Sequence, residues 1–587
     1  MAIFAGIVRL NANTKISTYE VESLRSAFIR KTNRDVFEWQ SQHAIVFHYD
    51  SCALSEYPAR YGDSNESISV FSGEPLFKYT PSSFPVDRQE AIKKMHTEWR
   101  QNNWDIARYC SGTFCAAHVL DKENSDVCLA LTSDKLGIRP IYYWKNSHLI
   151  VFATALRILE AISFIPKDLN IQGITEIVAF GFPLADRTAY SGIRTIREGE
   201  TCIIDQYGEK TVKYWKWNAT TKQTFSSEQE LQTAYQNFKN AVLFRLKNDD
   251  AAWSFLSGGM DSRAIVSLLR SLNVDVHTIS ASISGSQDEE FAQQFGLKAS
   301  CKMVKKDIQY FSDQGFRLDL AFLTSEVVSH SPANIQHPNV IWSGDGGSVS
   351  VGTVYMDDII LEMLKANQRD KSIAYYLSKN GNGVPLKLLR KKNRNNLIDI
   401  LTLGINEELS RLDGSDEAAK FHLFLMLNDQ RRHLADFFEE EDMHGLEYQL
   451  PFFDAIFLEQ IFSLPIEYRL NHRFYTEWFS IFPDIVREVP WQTYPGHVLC
   501  PVQHNYAKLK YQWSKTQPLY EKTYWSNRVL PAFYGLKNLI YRSQGWNIIS
   551  RFSLTLAAIA HILGIGNYNY LLKAANIYVH YGRDRVK

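Results

Sequence analysis

Residues 251–269 read as an apolar strand, a tight turn of small residues and an amphipathic helix, and no other stretch restricts the fold as much. Between strand and helix stand Ser257, Gly258, Gly259, Asp261 and Ser262. Glycines lack a Cβ, so the backbone can turn sharply there and approach a ligand closely. The two hydroxyls and the first free N–H groups of the helix then face one point, where an anion is favoured. Asp261 adds a carboxylate beside that nest, the arrangement that Mg²⁺ bridging phosphate oxygens needs. Gly and Ser are common turn residues, but a plain turn leaves this clustering of two glycines, two hydroxyls and an acid unexplained.

The chain of 587 residues, 45% hydrophobic and 22% charged, has material for two or more domains with cores of their own. Lys+Arg and Asp+Glu both number 64, and that balance argues against a broad nucleic-acid or anionic-membrane surface while leaving room for a local basic patch. The seven cysteines are scattered without a C-x-x-C pair and read as buried thiols of a reducing compartment. No basic region followed by a long apolar run opens the sequence, and no run of about 20 apolar residues occurs. The expected setting is therefore cytoplasmic, without a membrane. Residues 552–565 come nearest to a span, but His561 and Gly564 interrupt them, and they read as a core helix.

Residues 1–217 are strand-rich. Short β-branched or aromatic runs stand at 44–49, 67–71, 113–120 and 127–131, and 141–153 reads as a hairpin. A helical pattern covers 88–99, so packed sheets with helices outside are expected. Residues 218–230 are polar and read as a linker, with Ser226 or Ser227 capping the next helix. Strands at 274–282 and near 340, with a helix from Asp288, complete an α/β pattern after the central turn. Such a sheet is parallel and binds its ligand outside the carboxyl ends of its strands. Residues 416–470 read as packed helices, and 501–587 as a helical extension rich in Tyr, Trp and Lys.

Ser-Gly-Gly-x-Asp-Ser after a strand resembles the pyrophosphate loop of the ATP pyrophosphatase superfamily; the Gly-Lys-Ser/Thr ending of a Walker loop is absent. Other segments widen the likeness: Asp134-Lys135-Leu136-Gly137-Ile138-Arg139-Pro140-Ile141-Tyr142-Tyr143, Gly181-Phe182-Pro183, and Ser343-Gly344-Asp345-Gly346-Gly347-Ser348. So does Glu447-Tyr448-Gln449-Leu450-Pro451-Phe452-Phe453-Asp454. In this order they resemble class B asparagine synthetase and its relatives, the β-lactam synthetases and lasso-peptide cyclases. The resemblance implies an Ntn-hydrolase-like αββα glutamine amidotransferase domain over 1–217. It further implies an α/β ATP-pyrophosphatase domain over 231–500, with a helical C-terminal part.

The same resemblance implies ATP and Mg as cofactors. Leu256, Ser257, Gly258, Gly259, Ser262, Ser280, Ser343, Gly344 and Gly346 would line the nucleotide, with adenine between Leu256 and the 280–282 edge. Asp261 and Asp345 would be the catalytic acids and metal ligands, and Asp288 either stands near the nucleotide or merely suits its helix dipole. Two departures touch the chemistry. Ser348 replaces a metal-binding aspartate, and the segment 483–496 lacks the family's lysine, leaving Arg487 as its cation or as a solvated residue. Glu447 and Asp454 belong either to the framework or to the chemistry.

The glutaminase reads as lost. Glutamine hydrolysis in the family uses a cysteine at the processed N-terminus, and Ala2 stands there. Ser72-Gly73-Glu74 replaces an Asn-Gly-Glu segment, and Cys110 falls near an expected aspartate. Nothing in the sequence activates Cys110 or Cys115 as a substitute. The implied activity is an AMP-forming amide ligase: it would activate a small-molecule or peptide carboxylate as an acyl-adenylate for attack by ammonia or an amine. Ring closure of a peptide or small molecule, and a catalytically dead scaffold, are the other two readings. A nucleic-acid partner is not expected, and a homodimer is compatible with the sequence.

Overall fold

The structure, a computed structural model, describes residues 2–583 except 11–14, 29, 31–34, 64–65, 81–82, 122–126, 309–315, 380–382, 495–496 and 501–523. The first of these strands is β1 (Ala2–Arg9), whose successive side chains point to opposite faces of the sheet. Ile3, Ala5 and Ile7 face one core, and Phe4 and Val8 another. Such a strand is buried on both sides, and two stacked sheets follow from it.

One sheet runs β10 (Ile193–Thr195), β8 (Tyr142–Lys145), β9 (Leu149–Ala153), β1, β3 (Ala44–Asp50), β2 (Phe37–Gln40). The other runs β12 (Gly208–Lys213), β11 (Glu200–Asp205), β7 (Cys128–Ser133), β6 (Phe114–Leu120), β5 (Ser67–Gly73), β4 (Arg60–Asp63). Phe4, Val46 and Phe152 meet Val70, Cys115 and Leu131 between them. Helices α1 (Thr18–Phe28) and α3 (Leu156–Ala161) cover the first sheet. Helix α2 (Arg88–Arg100) covers the second through Ile92, Met95 and Trp99. The packing is thus helix, sheet, sheet, helix. Helix α4 (Ile171–Phe180) follows α3 and ends at Gly181, whose φ of 86° needs a residue without Cβ.

Helix α5 (Ser227–Leu246) is capped by Ser226 and begins inside the expected linker, so its last residues are helical. Beyond it lies a five-stranded parallel sheet in the order β15 (Lys302–Asp307), β14 (Asp275–Ser282), β13 (Ala251–Phe255), β16 (Val340–Trp342), β17 (Glu447–Gln449). Helices α6 (Met260–Ser271), α7 (Gln287–Lys298) and α8 (Phe316–Val328) join its strands. The chain moves outward from β13 through β14 to β15, then crosses to β16 on the other side of β13. That reversal opens a crevice at the carboxyl ends of β13 and β16.

Two expectations need correction. The strand β17 interrupts the region read as packed helices; at three residues it is too short to show a period of two. The helix over Arg551–Ile562 buries Leu554, Ala557, Ala558 and His561 but leaves Phe552, Leu556 and Ile559 exposed, so it is not a core helix. The C-terminal helices instead pack on α4 and on residues 384–400, around Ile174, Leu389, Trp546 and Tyr578. The first part of the expected extension, 501–523, lies outside the described residues.

Candidate active site

The turn after β13 and the loop after β16 lie against each other. A Cβ on Gly347 would overlap Asp261 Oδ1, and one on Gly344 would stand 2.8 Å from the Ser262 nitrogen. Only glycine lets the second loop come this close to the start of α6. Gly346 adds a φ of 94°. Gly259 is the N-cap of α6 and offers no side chain, so the first N–H groups of a twelve-residue helix are left uncapped toward the crevice.

Within the turn, the Ser257 N–H donates to Ser262 Oγ (3.1 Å), and the Gly259 N–H to Ser257 Oγ (3.1 Å). The Gly258 N–H donates to Asp288 Oδ1 at 2.8 Å. A carboxylate of α7 thus occupies part of the nest expected for phosphate. Burial raises the Asp288 carboxyl above its ordinary range, against the lowering effect of the Gly258 N–H.

Asp261 is enclosed between both loops. One oxygen accepts from the Tyr475 hydroxyl and the other from the Ser348 N–H at 3.1 Å. Burial pushes this carboxyl up to about 7 against those two donors. Asp345 is turned to Arg317 of α8, with N–O distances of 2.6 and 3.2 Å, and also accepts from Ser343 Oγ at 2.6 Å. Burial opposes its ionisation, but Arg317 outweighs it and holds Asp345 at about 2. Neither carboxylate is presented free to a cation. Among the described residues no group of three or more His, Cys, Asp or Glu is placed to hold a metal ion. Asp261 and Asp345, expected from the sequence as metal ligands, thus stand beside the crevice with hydrogen-bond partners of their own.

Arg487, expected as the cation of the site, pairs with Asp484, one turn back at the start of a short 3₁₀ segment. The cation beneath the turn is Arg263, wholly buried, which donates to the carbonyls of Gly258 (2.9 Å), Val489 (2.8 Å) and Pro490 (2.7 Å). Burial lowers its pKa to about 10, and it stays charged. Its bonds tie the 489–490 segment to the turn, where Gln492 covers Gly258. Leu256 is likewise packed in the core against Gly296 and presents no surface for a base. Ser280 is buried with no hydrogen-bond partner for its hydroxyl, a polar atom suited to a ligand. Ser257, Gly259, Ser282, Gly344 and Gly346 remain partly accessible. Residues 495–496 of the expected cation segment lie outside the described residues.

His433, Asp436 and Tyr355 lie within electrostatic reach of Arg317. His433 and Asp436 are accessible, and desolvation followed by Arg317 holds His433 at about 4. Arg263 was readable in principle, four residues from Gly259 on the same helix. Arg317, Tyr475 and Gln492 carry no local pattern. Glu447 pairs with Arg139, and Asp454 caps the following helix and pairs with Arg245 at 3.1 Å. Both serve the framework.

In the N-terminal sheets the glutaminase residues are occupied by arginines. Ala2 is wholly buried in β1 opposite Asp50. Arg88 donates twice to the Gly73 carbonyl (3.0 and 3.2 Å), and Arg139 to Ser72 Oγ at 3.2 Å. Glu74 pairs with Lys247 at 2.5 Å. Burial pushes the Cys110 thiol up to about 12 and Cys115 well above its ordinary value, so neither is a nucleophile.

Family models match both parts of the chain: a glutamine amidotransferase domain over residues 89–215 and asparagine synthase over 233–304. The chain is asparagine synthetase-like. A putative glutamine-hydrolysing asparagine synthetase 2 of Methanocaldococcus jannaschii is 25% identical over 241 residues, 39% of this chain and 45% of that protein. Asparagine synthetase 3 of Bacillus subtilis, also glutamine-hydrolysing by name, is 27% identical over 180 residues, 30% of this chain and 28% of the relative. The chain thus spans less than half the length of these relatives. A solved glutamine phosphoribosylpyrophosphate amidotransferase of B. subtilis is similar over 52% of this chain and 90% of its own, at 10% identity and a TM-score of 0.24. In this asparagine synthetase-like chain no described helix is long and apolar enough to cross a membrane.

Proposed function

We propose that the protein is an ATP-dependent amide ligase that takes its nitrogen from ammonia or an amine, not from glutamine. The observation that supports this most is the close approach of two glycine loops at the reversal of the parallel sheet, over an uncapped helix N-terminus.

A carboxylate resists amines because its leaving group would be oxide. Attack on the α-phosphate of ATP converts that oxygen into part of AMP and releases pyrophosphate; the amine then displaces AMP. Such a reaction is mostly positioning and charge neutralisation. Residues 257–262 and the uncapped amides of α6 hold the departing phosphates, with Arg263 fixed beneath. Asp288 yields the Gly258 N–H to that stronger anion. Ser280 donates its unused hydroxyl. Arg317, with His433 and Tyr355 near it, stands where the carboxylate and amine meet. Arg88 and Arg139 bond Gly73 and Ser72, where the family would hold glutamine, and Ala2 cannot form a thioester.

The test is to incubate the protein with ATP, a panel of carboxylates and either ammonia or simple amines. Equal release of AMP and pyrophosphate, lost in Asp261→Ala and unsupported by glutamine, is expected. Release of ADP and phosphate, or no ATP consumption with any pair, overturns the reading.

A further inference from the structure

The helix over Arg551–Ile562 is apolar on both sides. At 100° per residue its buried Leu554, Ala557, Ala558 and His561 lie opposite Phe552, Leu556, Ile559 and, one turn on, Leu563. These four and Ile565 are between 47% and 72% exposed. A helix apolar all round normally lies inside something. The patch continues at the far end of the helix, where the Tyr524 hydroxyl donates to the Ile562 carbonyl and Arg528 to that of Gly566 at 2.6 Å. Tyr524 and Trp525 are both well exposed there.

Charge is segregated in the same unit. The chain as a whole is balanced, yet between Glu521 and Asp584 it has no acidic residue. Arg528, Lys537, Arg542, Arg551, Lys573 and Arg583 fall in that interval. Lys537, Arg542, Arg551 and Lys573 are exposed, and none of them pairs with a carboxylate among the described residues.

These two facts together select an occupant. A second copy of this unit would bring the same positive charge and repel it. A nucleic acid would satisfy the charge but leave five aliphatic or aromatic side chains in water. An anionic bilayer surface takes both, with Phe, Leu and Ile entering the acyl boundary, Trp and Tyr at the headgroups, and Lys and Arg on the lipid phosphates. We infer that the C-terminal helices dock the protein on an anionic membrane surface, lying in its interface without crossing it.

The full chain is tested by sedimentation with vesicles of phosphatidylcholine alone and with phosphatidylglycerol added. Binding to the anionic vesicles only, weakened by salt, is expected. The double variant Leu556→Ser/Ile559→Ser changes exposed residues, and its melting curve checks that it folds; its vesicle affinity should fall about tenfold or more. No binding of the wild type to anionic vesicles overturns the inference, as does unchanged binding by the folded variant. A concentration-dependent dimer that the variant loses, in place of vesicle binding, assigns the face to a second copy and overturns it as well.

Discussion

Asp261→Asn separates the electrostatics of the crevice from its hydrogen bonds. The Asp261 carboxyl is raised from 3.8 to about 7, chiefly by burial. A carboxyl raised on folding costs nothing below its unfolded value, and its cost grows until pH passes the folded value. At about 1.4 kcal/mol per unit, the cost is about 2 kcal/mol at pH 5 and about 4 kcal/mol at pH 8. Asparagine removes this titration. It can still accept from the Ser348 N–H and donate to the Tyr475 oxygen, so its own contribution does not vary over this range. Unfolding free energies of both proteins, measured in urea at pH 5 and pH 8, give the difference directly. The variant should gain about 2–3 kcal/mol relative to the wild type between the two pH values. A difference independent of pH, or a wild type that gains as pH rises, would refute the buried, reluctantly ionised Asp261.

Arg139 sits between the two domains, 2.9 Å from Glu441 and paired also with Glu447, with all three side chains buried. Arg139→Met leaves two buried carboxylates without their cation and should cost about 3–5 kcal/mol at pH 8 and less at pH 5, read by urea unfolding; a loss under about 1 kcal/mol contradicts the pairing. Ala2→Cys, with the initiator methionine removed, restores a thiol but leaves Arg88 and Arg139 on Gly73 and Ser72. Glutamate release from glutamine should stay at background, and measurable hydrolysis would show that the site is open.

What the sequence could show depends on how local each signal is. Strands β1 and β13 are buried and largely apolar, and β13 and β14, joined through the glycine turn and its helix, were readable as the start of a parallel sheet. Strand β15 carries four charged residues on an exposed edge and has no such signature. In the site, Ser257, Gly258, Gly259, Asp261 and Ser262 are neighbours in the chain, so their clustering was visible. Their partners were not. Tyr475, Arg317 and Gln492 reach the crevice only through tertiary packing, and they decide what Asp261, Asp345 and Gly258 are free to bind. A carboxylate's identity is local, but the cation beside Asp345 is not. The partner of Arg487, one turn away, was by contrast within local reach.

The account rests on nucleotide phosphates lying between the turn after β13 and the loop after β16. Amide hydrogen exchange with and without ATP tests this residue by residue. The amides of residues 257–262 and 343–347 should be slowed by the nucleotide, with those of the N-terminal sheets unchanged. Unaltered exchange in both loops at saturating ATP, or protection confined to another part of the chain, would contradict it.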